Sequence, residues 1–374
     1  MTDNIDEKPD EESSPYATYE KVRMIRPIEG ADKIVLVTVL GYHVICAKDL
    51  VQVGDQVLFI KIGAFIPQPF QTHSFFSFVR DGVMRTIKLK GVYSQGLILA
   101  VDQVRTLLES FETTSETVKA VQGLPDHTLL GIRKYIKPTK ILARTNGRKP
   151  RPFNPNRQTT VPTLKPFPSW FPKTDQPRLQ NNPDLLVQPS DVKEVTVTEK
   201  AEGCSSTFYH NEGQTGVCSR NFELVVSDEP DPNLISATII SMDRRYQITQ
   251  ILQEKKMNVA VQGETCGPGL NDNRMELKDH ELYIFDIYDI DQQSYWPWSK
   301  LKSFCEEMKW PTVRKLDIKP PSTVDEWIMQ VNALKYPSGA VCEGVVVRYE
   351  GFGPRTGRAT FKVISPAFLV KHKC

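Results

Sequence analysis

The sequence predicts an α+β protein of two modules, an all-β one at the amino terminus and a mixed one after it. Three observations carry this reading. From Tyr16 to Ile136, short apolar runs rich in β-branched and aromatic residues alternate with glycine-containing turns. Nine prolines between residues 137 and 177 then deny that segment a regular helix or a central strand. Beyond Phe167, strand-length alternations are interleaved with helical periodicities. A length of 374 residues accommodates two or three domains of about 100–200 residues each.

The elements follow in chain order. Residues 1–14 hold six acids against Lys8, so residues 1–15 are expected to be a disordered, solvated acidic tail. They lack both the basic-then-apolar order of a secretory leader and the arginine-rich make-up of a transit peptide. An intracellular location, cytoplasmic or nuclear, is therefore expected. Strands are predicted at Lys33–Leu40, His43–Ala47, Gln56–Ile62, Thr86–Leu89 and Leu97–Val101. Short strands at this spacing suggest a five-stranded OB-type barrel over residues 16–136. Phe75, Phe76, Phe78 and Arg80, with Lys88 and Lys90, are candidate nucleic-acid contacts, core packing serving equally well for the phenylalanines.

The formal charge of +2 conceals a strong asymmetry, because residues 137–178 carry ten Lys or Arg against Asp175 alone. Residues 137–165 read as a basic linker stiffened by proline, either a plain spacer or a contact for a polyanion. No window approaches the roughly 18 apolar residues of a membrane span. Seven cysteines without a C-x-x-C pair, and six scattered histidines, indicate neither a disulfide framework nor a zinc site. A reducing compartment fits them.

Residues 166–374 form the mixed module. Val192–Thr198 alternates as a strand, with further strands at Ser205–Tyr209, Gly216–Leu224, Glu281–Ile290, Ala340–Tyr349 and Ala359–Ile364. Asp231 as N-cap and Pro232 in the first turn open a long helix with Ile235, Ile239, Met242, Tyr246 and Leu252 on its apolar face. A second helix starts at Ser299 and ends before Pro311. A third carries the capping box Thr323-x-x-Glu326.

The chemistry concentrates in this module. Lys200 follows a β run and precedes Glu202 and Gly203. A buried lysine whose pKa is lowered by desolvation and neighbouring cations is a nucleophile at neutral pH, and the glycine permits close approach of a ligand. Alone, such a stretch is equally an exposed turn. Further elements follow in order: Ser219-Arg220-Asn221, Gly263-Glu264 ahead of Cys266-Gly267-Pro268-Gly269, the strand from Leu282 to Ile287, the stretch from Glu343 to Arg348, and the stretch from Phe361 to Ser365. The set supplies a lysine nucleophile, a second cation, two acids suited to magnesium or ribose, and an aromatic ring to stack on a base. Taken singly, Phe285 is equally a core residue, Arg220 a surface charge and Glu343 a member of a structural ion pair. Cys204 reads as a packing residue.

As an ordered set, these motifs resemble those of the covalent nucleotidyltransferases, in particular the ATP-dependent RNA ligases. Lys200-Ala-Glu-Gly203 is similar to motif I, Ser219-Arg220-Asn221 to motif Ia, Leu282 to Ile287 to motif III, Glu343-Gly344-Val-Val-Val to motif IV and Phe361-Lys362-Val-Ile to motif V. The likeness is greatest to the fifth RNA ligase family, in which an OB module precedes the catalytic core. The stretches Pro27–Lys33, Lys90–Leu97 and Phe171–Asn181 share in it. Two positions depart from the pattern. Glu202 stands where aspartate is common, and Ile364 stands where many ligases have a second motif V lysine. Only twelve residues follow Lys362, too few for the carboxy-terminal OB module of DNA ligases and capping enzymes, whose designs are therefore disfavoured.

The resemblance implies an α+β nucleotidyltransferase core of antiparallel sheets with flanking helices. It implies RNA repair chemistry that seals 3′-OH and 5′-phosphate ends at duplex nicks, RNA:RNA or RNA:DNA, by a monomer using ATP and Mg2+ or Mn2+. Lys200 would become adenylylated, Lys362 would contact the α-phosphate and lower the pKa of Lys200, and Glu343 would organise the metal. Glu264 and Arg220 would engage ribose or phosphate, Phe285 would stack on adenine, and Glu199 would lie near the adenine edge. A nucleic-acid-binding protein with an inactive ligase core and an RNA guanylyltransferase are the alternatives.

Overall fold

The computed structural model describes residues 16–110, 124–136, 164–186, 194–226, 234–351 and 358–373. The acidic tail, the linker up to residue 163 and the Asp231–Pro232 helix start lie outside the described residues. The chain divides into two units, Met1–Pro138 with Leu369–Cys374, and Thr139–Phe368. Among the described residues, no helix is long and apolar enough to cross a membrane.

The first unit is built on an antiparallel sheet with strand order Tyr42–Ala47, Ala31–Val39, Ala17–Ile28, Gln56–Ile60 and Leu97–Ala100. The run Val57-Leu58-Phe59-Ile60 shows why an uninterrupted apolar strand is needed in the middle. Val57 and Phe59 enter one apolar cluster with Val37, Val44 and Ile98, while Leu58 and Ile60 enter another with Phe76, Leu99 and Leu107. Side chains alternate across a strand, and here both faces are covered. The longest strand, Ala17–Ile28, is absent from the predicted set because its charged residues Glu20, Lys21, Arg23 and Arg26 interrupt the apolar pattern. Leu97–Val101 is predicted as a strand, but the chain turns at Ala100 into a helix, Val101–Glu109. The Gln103 side chain accepts the Ala100 N–H at 3.0 Å, and Val104, Leu107 and Leu108 are buried. Phe76 is core, Phe75 packs against the same cluster, and Phe78 is exposed. Arg80, Lys88 and Lys90 are exposed as well.

The second unit holds two antiparallel sheets. The larger has the order Lys165–Pro166, Phe222–Leu224, Gln214–Cys218, Cys204–Asn211, Val259–Cys266, Glu281–Asp289, Ser294–Tyr295. The smaller has the order Glu194–Glu199, Gly344–Glu350, Arg358–Ile364. Lys165, placed by the sequence at the end of the linker, is instead in the edge strand opposite Glu223. The long helix divides into Leu234–Tyr246 and Ile248–Glu254, because Gln247 adopts a left-handed conformation with φ 52°. This breaks the ladder but leaves Ile239, Met242, Ile248 and Leu252 in one core. Helix Trp298–Met308 ends two residues before Trp310 and its following proline. Helix Val324–Ala333 has the predicted reciprocal cap, Glu326 N–H to Thr323 Oγ1 at 3.2 Å and Thr323 N–H to Glu326 Oε2 at 3.3 Å. Its Trp327 and Val331 cover the small sheet, packing in one cluster with Phe361 of that sheet.

Candidate active site

Strand pairing brings distant residues together. Lys200 lies one residue past Glu194–Glu199, and Glu343 one residue before Gly344–Glu350. These strands are antiparallel, with Glu199 opposite Val345, and the Lys200 N–H donates to the Gly344 carbonyl at 2.8 Å. Lys362 follows on the next strand, opposite Val346. The Lys200 ammonium thereby reaches the Glu343 carboxylate across 2.7 Å. Gly344 has no alternative here, because a Cβ would lie 2.0 Å from the Val363 carbonyl oxygen. Tyr336 bolts this corner: its hydroxyl donates to the Lys200 carbonyl at 2.6 Å and accepts the Glu343 N–H at 3.1 Å.

The larger sheet supplies the facing wall. Gly203 N–H donates to Glu264 Oε1 at 3.1 Å. A Cβ on Gly203 would sit 2.2 Å from the Thr265 carbonyl, so this glycine admits a neighbouring strand, and it also lines the cavity. Between the pairs Gln262–Asp286 and Gly263–Ile284 the register shifts, leaving Phe285 as the extra residue. A bulge re-aims the side chains around it. Phe285 lines the cavity, while Ile284 and Ile287 are core and Asp286 takes Arg348 at 3.1 Å and Arg358 at 2.9 Å. Tyr283 and Phe285 also pack against this core, so Phe285 lies between core and cavity.

The cavity between these walls has a volume of about 500 Å³ and is lined by Glu199, Lys200, Arg220, Glu264, Phe285, Glu343 and Lys362, all seven sequence-predicted site residues. Their positions differ in kind. Arg220 is exposed and held by Asp175 at 2.7 Å. Glu199 is buried and held by Arg314 at 3.0 Å. Cys204 also lines the cavity, with its thiol pushed up to about 12 by burial and the charges of Glu264 and Glu202, which keeps it protonated.

The electrostatics reverse one expectation. Burial pulls the Lys200 ammonium down, but Glu343, Glu264 and Glu202 outweigh it and hold the group above the ordinary lysine value. Lys362 is the lysine that is depressed, to about 8, by burial and then by the charge of Lys200. The net shift of Lys200 is therefore upward where a depressed lysine was expected, because the surrounding carboxylates outweigh burial. Burial raises Glu202 to about 8, with Glu343 adding to the shift and Arg274, 3.0 Å away, opposing it. Burial likewise raises Glu264 to about 7, against the pull of Lys200. Ile364 is buried opposite Gly344, where an ammonium group would lack solvent. A second positive charge comes from Arg178, whose backbone bridges to Lys362 and whose charge helps to depress it.

Tyr336 and Arg314 belong to no motif and were missed by sequence reasoning. Pattern alone offers no signal for either, since each acts through a contact with a residue more than a hundred positions away.

An OB-like module followed by antiparallel sheets around a lysine and three glutamates is the build of a polynucleotide ligase. Residues 193–364 match the RNA ligase family model, and residues 16–101 match an OB-fold domain model. The chain carries an RNA ligase domain and is an RNA ligase enzyme. No curated protein sequence matches it. Among solved structures it is similar to Naegleria gruberi RNA ligase in several states. A lysine-to-alanine variant with ATP and Mn is 26% identical, with TM-score 0.74 over 96% of this chain and 99% of that one. The same ligase with PPi is 27% identical, with TM-score 0.74 over 96% and 99%. A glutamate-to-alanine variant with ATP and Mn is 26% identical, with TM-score 0.75 over 96% and 100%.

Proposed function

We propose that this enzyme uses ATP to join RNA 3′-OH and 5′-phosphate ends at duplex nicks, through a Lys200–AMP and an RNA–adenylate. The observation that carries the reading is the 2.7 Å approach of Lys200 to Glu343 in a cavity that also holds Lys362 and Phe285. ATP and Mn accompany the similar Naegleria ligase, and the same nucleotide suits this cavity. In the first step Lys200 Nζ bonds to the α-phosphorus as the bond to pyrophosphate breaks. AMP then passes to the RNA 5′-phosphate, and the 3′-hydroxyl displaces it. Such in-line displacements depend on positioning and charge neutralisation.

Each residue has a task in that sequence. Lys362 faces the incoming phosphate, whose negative charge restores the proton that burial disfavours. Phe285 stacks on adenine, and Glu199 meets its edge. Arg220 leaves Asp175 for ribose or phosphate, together with Glu264. A divalent cation fits beside these residues, since the Glu264 and Glu343 carboxyls line the cavity and Glu202 Oε2 is buried without a hydrogen-bond partner. No group of three ligating side chains among the described residues converges on one point, so Glu343 would hold the cation with help from bound water. Mg2+ or Mn2+ supplies neutralisation of the charge that keeps Lys200 protonated.

The test is incubation with α-labelled ATP and magnesium. Covalent label on the wild-type protein and none on Lys200→Ala is the expected result. Label retained by Lys200→Ala would sink the proposal, and GTP labelling in place of ATP would favour a guanylyltransferase. Sealing of RNA- and DNA-templated nicks, compared with single strands, tests the substrate assignment.

A further inference from the structure

We infer that Arg314 is a positioning residue that sets the base selectivity of the nucleotide site by fixing Glu199 as an acceptor-only carboxylate. This rests on the reading of the cavity as an ATP site. Glu199 is 4% exposed, and Arg314 grips it twice. The Arg314 Nε donates to Glu199 Oε2 at 3.0 Å, and the Arg314 carbonyl accepts the Glu199 N–H at 2.9 Å. The guanidinium is itself anchored, donating to the Lys335 carbonyl at 2.8 Å.

Arg314 lies in a segment that joins the two walls. Val313 N–H donates to the Ile284 carbonyl at 3.0 Å, and Leu316 N–H donates to the Val197 carbonyl at 2.8 Å. Phe285, Val313 and Glu199 are consequently neighbours along the cavity lining. A base stacked on Phe285 would present its edge to Glu199. A 6-amino group donates to a carboxylate, whereas a 6-oxo group faces it acceptor to acceptor. If Glu199 were protonated, its O–H could donate to a 6-oxo group and the discrimination would weaken.

Burial pushes Glu199 toward that protonated form, and Arg314 opposes it. Among the described residues, Tyr283, on strand Glu281–Asp289, and Cys342, just before strand Gly344–Glu350, also face Glu199. Burial pushes these up to about 12 and about 11, so both are neutral near pH 7. Burial prevails in the net upward shift, and Arg314 is the cation that opposes protonation of the carboxylate.

The experiment measures lysine nucleotidylation by the full chain with labelled ATP and GTP, for wild type, Arg314→Met, Arg314→Lys and Glu199→Gln, between about pH 6 and pH 8.5. For Arg314→Met, half-saturation with ATP should rise about tenfold or more at the acid end and less at the alkaline end, with the maximal rate within about threefold. Its preference for ATP over GTP should fall about tenfold or more. Arg314→Lys should restore part of the preference, and Glu199→Gln should lose it without the pH dependence. An unchanged preference, or equal loss with both nucleotides at every pH, would overturn the role of Arg314. Absence of ATP labelling in the wild type would overturn the nucleotide-site reading itself, which distinguishes the two failures.

Discussion

Replacing Glu343 by Gln should lower the pKa of Lys200 by roughly 2–4 units from its raised value. The pair is separated by 2.7 Å, with side chains 24% and 17% exposed. At an effective dielectric of about 20, Coulomb's law gives an upper bound of about 6 kcal/mol for this separation. Measured losses on breaking buried pairs are about 3–5 kcal/mol. At about 1.4 kcal/mol per pH unit, a range of about 3–6 kcal/mol corresponds to a fall of roughly 2–4 units. Burial then acts on Lys200 without its nearest opponent, while Glu264 and Glu202 continue to oppose it. The assay is a metal-free titration of protein carrying 13Cε-lysine, with the Lys200 resonance assigned by its loss in Lys200→Arg. Wild-type Lys200 should titrate above the ordinary value of 10.5, Glu343→Gln roughly 2–4 units lower than wild type, and Glu343→Asp between them. Titration of wild type and Glu343→Gln within about half a unit of each other would refute the claim that Glu343 governs the proton on Lys200.

Further expectations concern stability, positioning and RNA. Glu202 has a folded-state pKa of about 8, above its ordinary 4.5. Any stability that depends on its protonation is therefore complete below about pH 4.5 and lost as pH rises through about 8. In metal-free buffer, Glu202→Gln should melt higher than wild type at about pH 8, by about 2–4 °C per kcal/mol gained, with the advantage vanishing near pH 4.5; a lower melting point at both would contradict the sign. Tyr336→Phe removes the hydroxyl shared by Lys200 and Glu343, so it should cost about 1–3 kcal/mol and lower the rate of Lys200 adenylylation more than ATP affinity. An unchanged single-turnover rate would show that the bridge does not position the nucleophile. Replacing Lys and Arg between residues 137 and 165 by Ala should weaken RNA binding and flatten its salt dependence, leaving adenylylation intact. A salt slope equal to that of wild type would exclude the segment from RNA contact.

Much of the fold was legible because it follows from short-range pattern. The apolar runs at Lys33–Leu40 and Gln56–Ile62 mark strands since they must cover two faces, and Thr323-x-x-Glu326 marks a helix start since its caps are local. The charged strand Ala17–Ile28 and the helix break at Gln247 were not legible. The first is stabilised by pairing on both sides, and the second by a core that tolerates a change of helix direction.

The site divides in the same way. The identity and order of Lys200, Arg220, Glu264, Phe285, Glu343 and Lys362 are properties of the sequence, which by itself determined the residue types available for chemistry and the class of protein that carries them. Tertiary structure alone decided their charge states and orientations. Lys200 meets Glu343 because two strands pair in antiparallel register across 143 positions, and that proximity favours the protonated Lys200 amine while Lys362 is depressed. Phe285 faces the cavity because one residue of the Glu281–Asp289 ladder is left unpaired. Coulomb energies and hydrogen bonds depend on distances of a few ångströms, and residues such as Tyr336 and Arg314 acquire those distances only when the sheets assemble.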